Sequence, residues 1–224
     1  MMLNLFSIFD PSTSMNFSLN WISMIYVLMF LPNLYWLMPS RYNMFILMIM
    51  KFLFNEFKVL MMKKMNYMNL FMYISLFFMI LLNNFMGMFP YIFTSSSQML
   101  MSLSYSLSLW IMYMLFGWIK NTNYMFIHLM PIGTPNILMP FMVMIESISN
   151  IIRPMTLSIR LTANIISGHL LMTLISMNAN NLLMYMLLLM LMIQSLLMIL
   201  ELSVSIIQSY VFSILNILYL SETN

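Results

Sequence analysis

The fold and the candidate chemistry both follow from residues 146–171, ESISNIIRPMTLSIRLTANIISGHLL. This segment is apolar enough to lie in a membrane, yet it contains Glu146, Arg153, Arg160, Asn164 and His169. An arginine in hydrocarbon costs roughly 2.5–3.5 kcal/mol on insertion scales and about 10–17 kcal/mol in simulations of isolated helices. Because the chain has only five acidic and eight basic residues, we expect Arg160 to have a function.

The composition predicts an all-α, polytopic membrane protein. The chain is 63% hydrophobic and 6% charged, whereas a soluble domain has about 25% charged residues. Several charge-free windows of about 20 residues are long enough to cross a bilayer as a helix. Lipid requires helices or a closed barrel, and the apolar runs are continuous rather than alternating, so we predict helices.

The first part of the chain, residues 1–67, predicts an outer terminus, one crossing helix and a basic loop. Residues 17–38 are charge-free and predict the first crossing, with a kink or end at Pro32. Residues 40–67 contain one acid, Glu56, and five of the eight basic residues: Arg41, Lys51, Lys58, Lys63 and Lys64. Basic loops stay on the cytoplasm-equivalent side, so this loop is predicted on the matrix side and the N-terminus outside. Part of it is predicted to be an interfacial helix.

The remainder predicts two helical hairpins in one membrane domain that spans residues 1–224. In residues 68–120, the runs 68–89 and 99–119 are charge-free and predict the first hairpin. Residues 121–135 are predicted to be a loop with a short surface helix. In residues 121–224, a long apolar segment with bends at Pro140 and Pro154 precedes 39 residues, 182–220, that lack Gly and Pro.

The 39-residue run would be roughly 58 Å long as a helix, against about 30 Å of hydrocarbon. Either it contains a turn or it is one strongly tilted helix. Because it has no turn signal, we predict a tilted helix paired with the one before it. About five crossings in all would place the C-terminus on the inner side.

The candidate chemical groups lie on the last two predicted helices. We find no metal cluster, phosphate-binding loop or nucleophile motif in the sequence. Arg160 and Asn164 are four residues apart and share a helix face, whereas His169 lies nine residues beyond Arg160 on about the opposite side. On the last helix a polar stripe recurs every seven residues, at Gln194, Glu201 and Gln208, with Ser205 between the last two.

Several of these residues have a structural alternative. Arg153 could reach the interface or pair with Glu146, His169 could be a satisfied buried histidine, and the glutamine stripe could hold helices together. Arg160 lies mid-segment with no acid within one helical turn. Its guanidinium does not deprotonate, so it can hold a carboxylate of another subunit but cannot relay protons. The groups that can take up and release protons are Glu146, His169, Glu201 and Glu222.

The motif SIRLTANIISGHLL, residues 158–171, is preceded by IESIS and followed by LELSVSIIQSYVFSILNILYL. With the P-x-G-T-P turn at residues 131–135, it resembles the subunit a family of F-type ATP synthases, in its mitochondrially encoded form. The resemblance covers essentially the whole chain. It implies that Arg160 faces the carboxylate of a rotating ring of c subunits. It also implies an outer half-channel with His169 and Glu201, matrix-side acids Glu146 and Glu222, and polar residues Asn164 and Gln208 near the arginine.

The resemblance further implies a proton-translocating stator subunit of the mitochondrial inner membrane, non-catalytic on its own and without cofactor or metal. Its N-terminus would lie in the intermembrane space and its C-terminus on the matrix side. The implied partners are the c-subunit ring, peripheral-stalk subunit b, other membrane-sector subunits and lipid, with cardiolipin as a candidate, but no nucleic acid. The alternative is a structural or assembly subunit of a respiratory complex. A secondary transporter is disfavoured because we detect no internal repeat.

Overall fold

A computed structural model describes residues 5–14, 17–33, 35–61, 67–89, 91–130, 135, 137–178 and 183–223. Within these ranges the chain is helical and has no strand, which confirms the all-α prediction. Short 3-10 helices are Leu5–Phe9, Leu19–Ile22, Val27–Phe30 and Ser95–Ser97. The α-helices are α1 Ser23–Tyr26, α2 Arg41–Leu60, α3 Tyr67–Gly87, α4 Met99–Lys120, α5 Thr122–His128, α6 Met139–Asn178 and α7 Met184–Thr223.

Four helices among the described residues are long and apolar enough to cross a membrane, namely Asn69–Gly87, Met99–Lys120, Met139–Asn178 and Met184–Thr223. The chain is therefore a multi-pass membrane protein. The segment predicted as the first crossing, residues 17–38, is not among these four long helices. Its helical part, Leu19–Phe30, is shorter than the other four, at roughly 22 Å for its mixture of 3-10 and α turns. It ends at Leu31, which is extended because it precedes Pro32.

Helices α6 and α7 are 40 residues each, or roughly 60 Å long. The prediction of one long helix is therefore confirmed for residues 184–223, because no turn interrupts them. Helix α6 continues through Pro154. The predicted break between the two helices falls largely at residues 179–182, outside the described part.

The basic segment forms α2, whose N-cap Ser40 accepts a hydrogen bond from the Asn43 amide at 3.3 Å. This helix buries Leu53 and Phe57 and exposes its charged residues, so the basic segment contains a helix, as predicted. Lys63 and Lys64 lie outside the described residues. Residues 131–134 of the predicted 131–135 turn also lie outside the described residues. The short helix predicted before this turn is α5.

The core forms where α3 and α4 pack against α6 and α7. Tyr73 of α3 and Tyr113 of α4 are fully buried, and the Tyr73 hydroxyl donates to the Tyr113 hydroxyl at 2.8 Å. Small hydroxyl residues line the buried face of α7, and each donates to the carbonyl three residues earlier: Ser205, Ser209 and Ser213. Such residues let helices approach closely in a membrane.

The two described ends of the chain lie at opposite ends of the helical bundle. Gln98, just before α4, donates to the Phe9 carbonyl at 2.6 Å, so the N-terminal residues lie where α3 and α4 connect. Glu222 lines a cavity with Met125 and His128 of α5, which follows the far end of α4. The N-terminal segment and the end of α7 therefore lie near opposite ends of α4.

Changing Ser209 to Leu should destabilise this packing. Ser209 is fully buried, and inserting a large side chain into a packed core costs about 1–3 kcal/mol. The temperature at which the assembled complex loses this subunit should fall. Ser203→Leu is the matched control, because Ser203 is exposed on the same helix. Equal stability of the two variants would contradict the packing described.

Candidate functional site

His169 of α6 and Glu201 of α7 form a buried pair where the two helices pack together. His169 Nε2 lies 3.5 Å from Glu201 Oε1, and the two side chains are 13% and 9% exposed. The geometry is not that of a hydrogen bond, and neither His169 Nε2 nor either Glu201 oxygen has a hydrogen-bond partner among the described residues. Buried polar atoms without partners are rare and are a feature of catalytic and transport sites.

Gly168 allows this close approach of α6 and α7. A Cβ added at Gly168 would lie 2.9 Å from Glu201 Oε1 and 3.0 Å from Glu201 Cδ. Such contacts are shorter than side chains tolerate, so a larger residue would displace the carboxylate. The glycine therefore determines where Glu201 sits beside His169.

A small cavity adjoins the pair and is lined by further polar side chains. Its volume is about 10 Å³, at the lower limit for one water molecule. Among its lining residues are Asn84, Asn164, His169, Glu201 and Gln208. The structure thus brings together four residues that the resemblance implied and adds Asn84 of α3.

The sequence reasoning missed Asn84. Its side chain is almost fully buried, and both of its amide atoms lack a hydrogen-bond partner among the described residues. The signal was available, because Asn83 and Asn84 are adjacent amides in a charge-free span. Polar groups inside spanning helices are rare and are functional candidates.

Two larger cavities adjoin this cluster. One of about 210 Å³ lies between α6 and α7 and is lined by Asn164, Gly168 and Glu201, among others. The other, about 790 Å³, is lined by His169, Gln194 and residues of the N-terminal segment. His169 thus lines both the cavity of about 790 Å³ and the small one, so it lies between the N-terminal segment and Asn164.

A second cluster surrounds Arg153 at the opposite end of the helix pair. Arg153 Nη2 lies 3.6 Å from Glu146 Oε1, and Arg153 Nη1 donates to Glu222 Oε2. The guanidinium carbon lies 5.4 Å from the centre of the Tyr219 ring. The alternative that Arg153 pairs with Glu146 is confirmed, and the contact with Glu222 is an addition that the sequence reasoning missed. A cavity of about 30 Å³, lined by His128, Asn150 and Arg153 among others, adjoins the cluster.

Arg160 lies between the two clusters and belongs to neither. Its side chain is exposed and makes no ion pair or hydrogen bond with any residue that the structure describes. Along α6 it is seven residues from Arg153 and nine from His169, or roughly 10 and 14 Å. Thr156 and Ser167, which share its helix face, are also exposed and carry no charge. The arginine therefore lies on an exposed face of α6 that is uncharged from Thr156 to Ser167 apart from Arg160 itself.

These features define a multi-pass helical membrane protein with two separate clusters of ionisable groups on one long helix pair and an unpaired arginine between them. The sequence profile of the ATP synthase A chain family matches residues 15–221, and the chain belongs to this family. Similar proteins include ATP synthase subunit a of Drosophila melanogaster, 56% identical over 149 residues. Those of Locusta migratoria and Anopheles gambiae are 55% and 51% identical over 150 residues.

The aligned stretches cover 66% of this chain and 66–67% of the relatives' own lengths. The resemblance to the subunit a family that the 158–171 motif indicated is thus confirmed.

Changing Gly168 to Ala should separate His169 from Glu201. The added methyl group would overlap the Glu201 carboxylate, so the Nε2–Oε1 distance should increase beyond 3.5 Å. The distance can be measured in a structure of the assembled variant complex. Gly117→Ala is the matched control, because its Cβ would meet only the flexible end of Met125. An unchanged distance in the Gly168 variant would show that the glycine does not position the carboxylate.

Changing Arg153 to Met should loosen the C-terminal end of α7. Glu146 and Glu222 would lose their shared cation, and partly exposed ion pairs contribute up to about 1 kcal/mol, or roughly fivefold in an opening equilibrium. Hydrogen exchange of the amides near Glu222 should therefore accelerate by up to about fivefold. Arg153→Lys, which keeps the charge, should show a smaller effect. Equal exchange in all three proteins would remove any structural role for the ion pairs.

Proposed function

We propose that this chain is the proton-translocating stator subunit in the membrane sector of an F-type ATP synthase, with Arg160 facing a carboxylate on a rotating ring of c subunits. The observation that carries the proposal is the exposed Arg160 on α6, which pairs with no residue that the structure describes. Family membership supports the same role. The chain itself performs no bond chemistry, and ATP forms elsewhere in the assembly.

The energetic cost of Arg160 supports a partner from another subunit. A cation without a partner in hydrocarbon costs roughly 2.5–3.5 kcal/mol or more. The acids of α6 and α7 are engaged elsewhere, since Glu146 and Glu222 contact Arg153 and Glu201 lies beside His169. A ring carboxylate that reaches the exposed face of α6 would supply the missing charge.

The two clusters are candidates for two offset half-channels. The outer one would use His169, Glu201, Asn164 and Gln208, with Asn84 added from the structure. The inner one would use Glu146 and Glu222. Because the clusters lie on either side of Arg160 along α6, a proton would have no direct path between them.

Ring rotation would then connect the half-channels. A protonated carboxylate is neutral and can pass through lipid as the ring turns, whereas an ionised one cannot leave its counter-charge cheaply. Each proton would enter from one side, travel with the ring and leave on the other side of Arg160. One elementary charge crossing 100 mV gains about 2.3 kcal/mol, and several such steps would drive rotation.

The proposed orientation places the N-terminus in the intermembrane space and the C-terminus in the matrix of a mitochondrion. Two features support it: the exposed positive charges of α2, and the position of the N- and C-terminal parts at opposite ends of the bundle. The 34 Met residues are typical of an AT-rich genome such as a mitochondrial one. The proposed partners are the c-ring, subunit b, other membrane-sector subunits and cardiolipin.

The alternative is a structural subunit without a proton path. Such a subunit has no need of an exposed unpaired arginine, nor of buried partnerless polar atoms on His169, Glu201 and Asn84. The observations therefore favour the proton path, and the following experiment separates the two functions.

Replacing Arg160 by Gln should abolish ATP-driven proton pumping in an assembled complex. Without the cation, placing an ionised ring carboxylate at the interface should cost roughly 2.7 kcal/mol more, which is about a hundredfold in rate. Pumping can be followed by acidification of inverted membrane vesicles, with assembly checked on native gels.

The matched control is Arg41→Gln, which removes an exposed cation from α2. Its pumping rate should match that of the unmodified complex. Normal pumping in an assembled Arg160→Gln complex would support the structural alternative instead.

A further inference from the structure

The N-terminal segment, residues 5–14, lies over the outer cluster. The Phe9 carbonyl accepts a hydrogen bond from Gln98 Nε2 at 2.6 Å, and the Asp10 carbonyl accepts one from Asn20 Nδ2 at 3.4 Å. The Phe9 ring meets the His169 ring edge-on, with 6.4 Å between ring centres. The segment is thus held against α6 and the start of α4. The family profile begins at residue 15, so family membership assigns nothing to these residues.

The segment forms one wall of the larger of the two cavities that His169 lines among the described residues. This cavity of about 790 Å³ is lined on one side by Ser7, Asp10 and Ser12, and on the other by His169 and Gln194, among others. Its titratable lining residues in the described part of the chain are Asp10, His169 and Tyr91. Asp10 is therefore its one acidic lining group among these residues.

Asp10 is exposed, whereas His169 is largely buried at the inner side of the same cavity. The Ser12 amide donates to Asp10 Oδ1 at 3.0 Å, and this hydrogen bond lowers the pKa of the Asp10 carboxyl below its ordinary value. Asp10 consequently carries a negative charge at neutral pH. A negative charge at the mouth of a cleft raises the local concentration of cations and their association rate.

We propose that Asp10 is the proton-collecting carboxylate at the mouth of the outer half-channel, and that residues 5–14 form the wall that directs protons to His169. This inference rests on the proposed function above. A proton from bulk water binds a carboxylate oxygen of Asp10 and leaves it again as a proton towards His169. The carboxylate is regenerated and no other bond changes.

The test measures ATP synthesis by the intact complex in energised mitochondria while the outer pH is varied. Asp10→Asn should raise the outer proton concentration needed for half-maximal synthesis by roughly threefold to tenfold. Charged clefts increase association rates by roughly 10-fold to 1,000-fold, so this effect lies at or below the lower end of that range. The deficit should disappear at low outer pH, where protons are abundant. Asp10→Glu should restore the normal curve.

Two further variants separate charge from folding. Asp10→Ser keeps a side-chain oxygen that can accept from the Ser12 amide, so it should behave like Asp10→Asn even if the latter assembles poorly. Glu56→Gln removes an exposed acid from α2 and should leave the pH dependence unchanged.

Three outcomes would overturn the inference. One is an Asp10→Asn or Asp10→Ser curve that superimposes on the normal one. Another is a loss that is equal at every outer pH, and the third is a failure of Asp10→Glu to restore the curve. Arg160→Gln, measured in parallel, should be inactive at every outer pH. If it is inactive while Asp10→Asn is normal, the role of Asp10 fails and the proposed function stands.

Discussion

The structure depends on one electrostatic constraint, a permanent positive charge on an exposed face of a membrane helix. The Arg160 guanidinium does not lose its proton, so its charge cannot be relieved by titration as that of a lysine or histidine can. No described residue of its own chain pairs with it. The two ionisable clusters lie on either side of this charge along α6. In the account proposed here, the charge both holds a ring carboxylate and prevents protons from crossing directly between them.

The helix pair α6 and α7 fixes the positions of the ionisable groups relative to Arg160. At 40 residues each, α6 and α7 are long enough to place an outer cluster, the arginine and an inner cluster in sequence along one axis. Gly168 lets α7 approach until Glu201 lies beside His169. At the other end Arg153 contacts one acid from each helix, Glu146 and Glu222. Helices α3 and α4 support the pair through a core of aromatic and small hydroxyl residues, and α3 adds the buried amide of Asn84.

The sequence was sufficient to predict the helical fold, because a continuous charge-free run in lipid can satisfy its backbone hydrogen bonds internally only as a helix. It also predicted α7 as one long helix, since residues 182–220 contain no Gly or Pro. The first crossing differed because Pro32 ends the helical segment near Phe30. The cluster around Arg153 could not be derived fully, because spacing relates Arg153 to Glu146 on one helix but not to Glu222 on another. Asn84 and the N-terminal wall depend on tertiary contacts, and periodicity along a single helix does not report those.

The central claim is tested most directly by the structure of the intact membrane sector at a resolution that shows side chains. The account predicts that the Arg160 guanidinium lies within ion-pair distance, or one water molecule, of a carboxylate on a neighbouring ring subunit. It also predicts that Arg153 remains with Glu146 and Glu222. A guanidinium that faces lipid or bulk water in the assembled sector, or one that is neutralised by an acid of its own chain, would contradict the account.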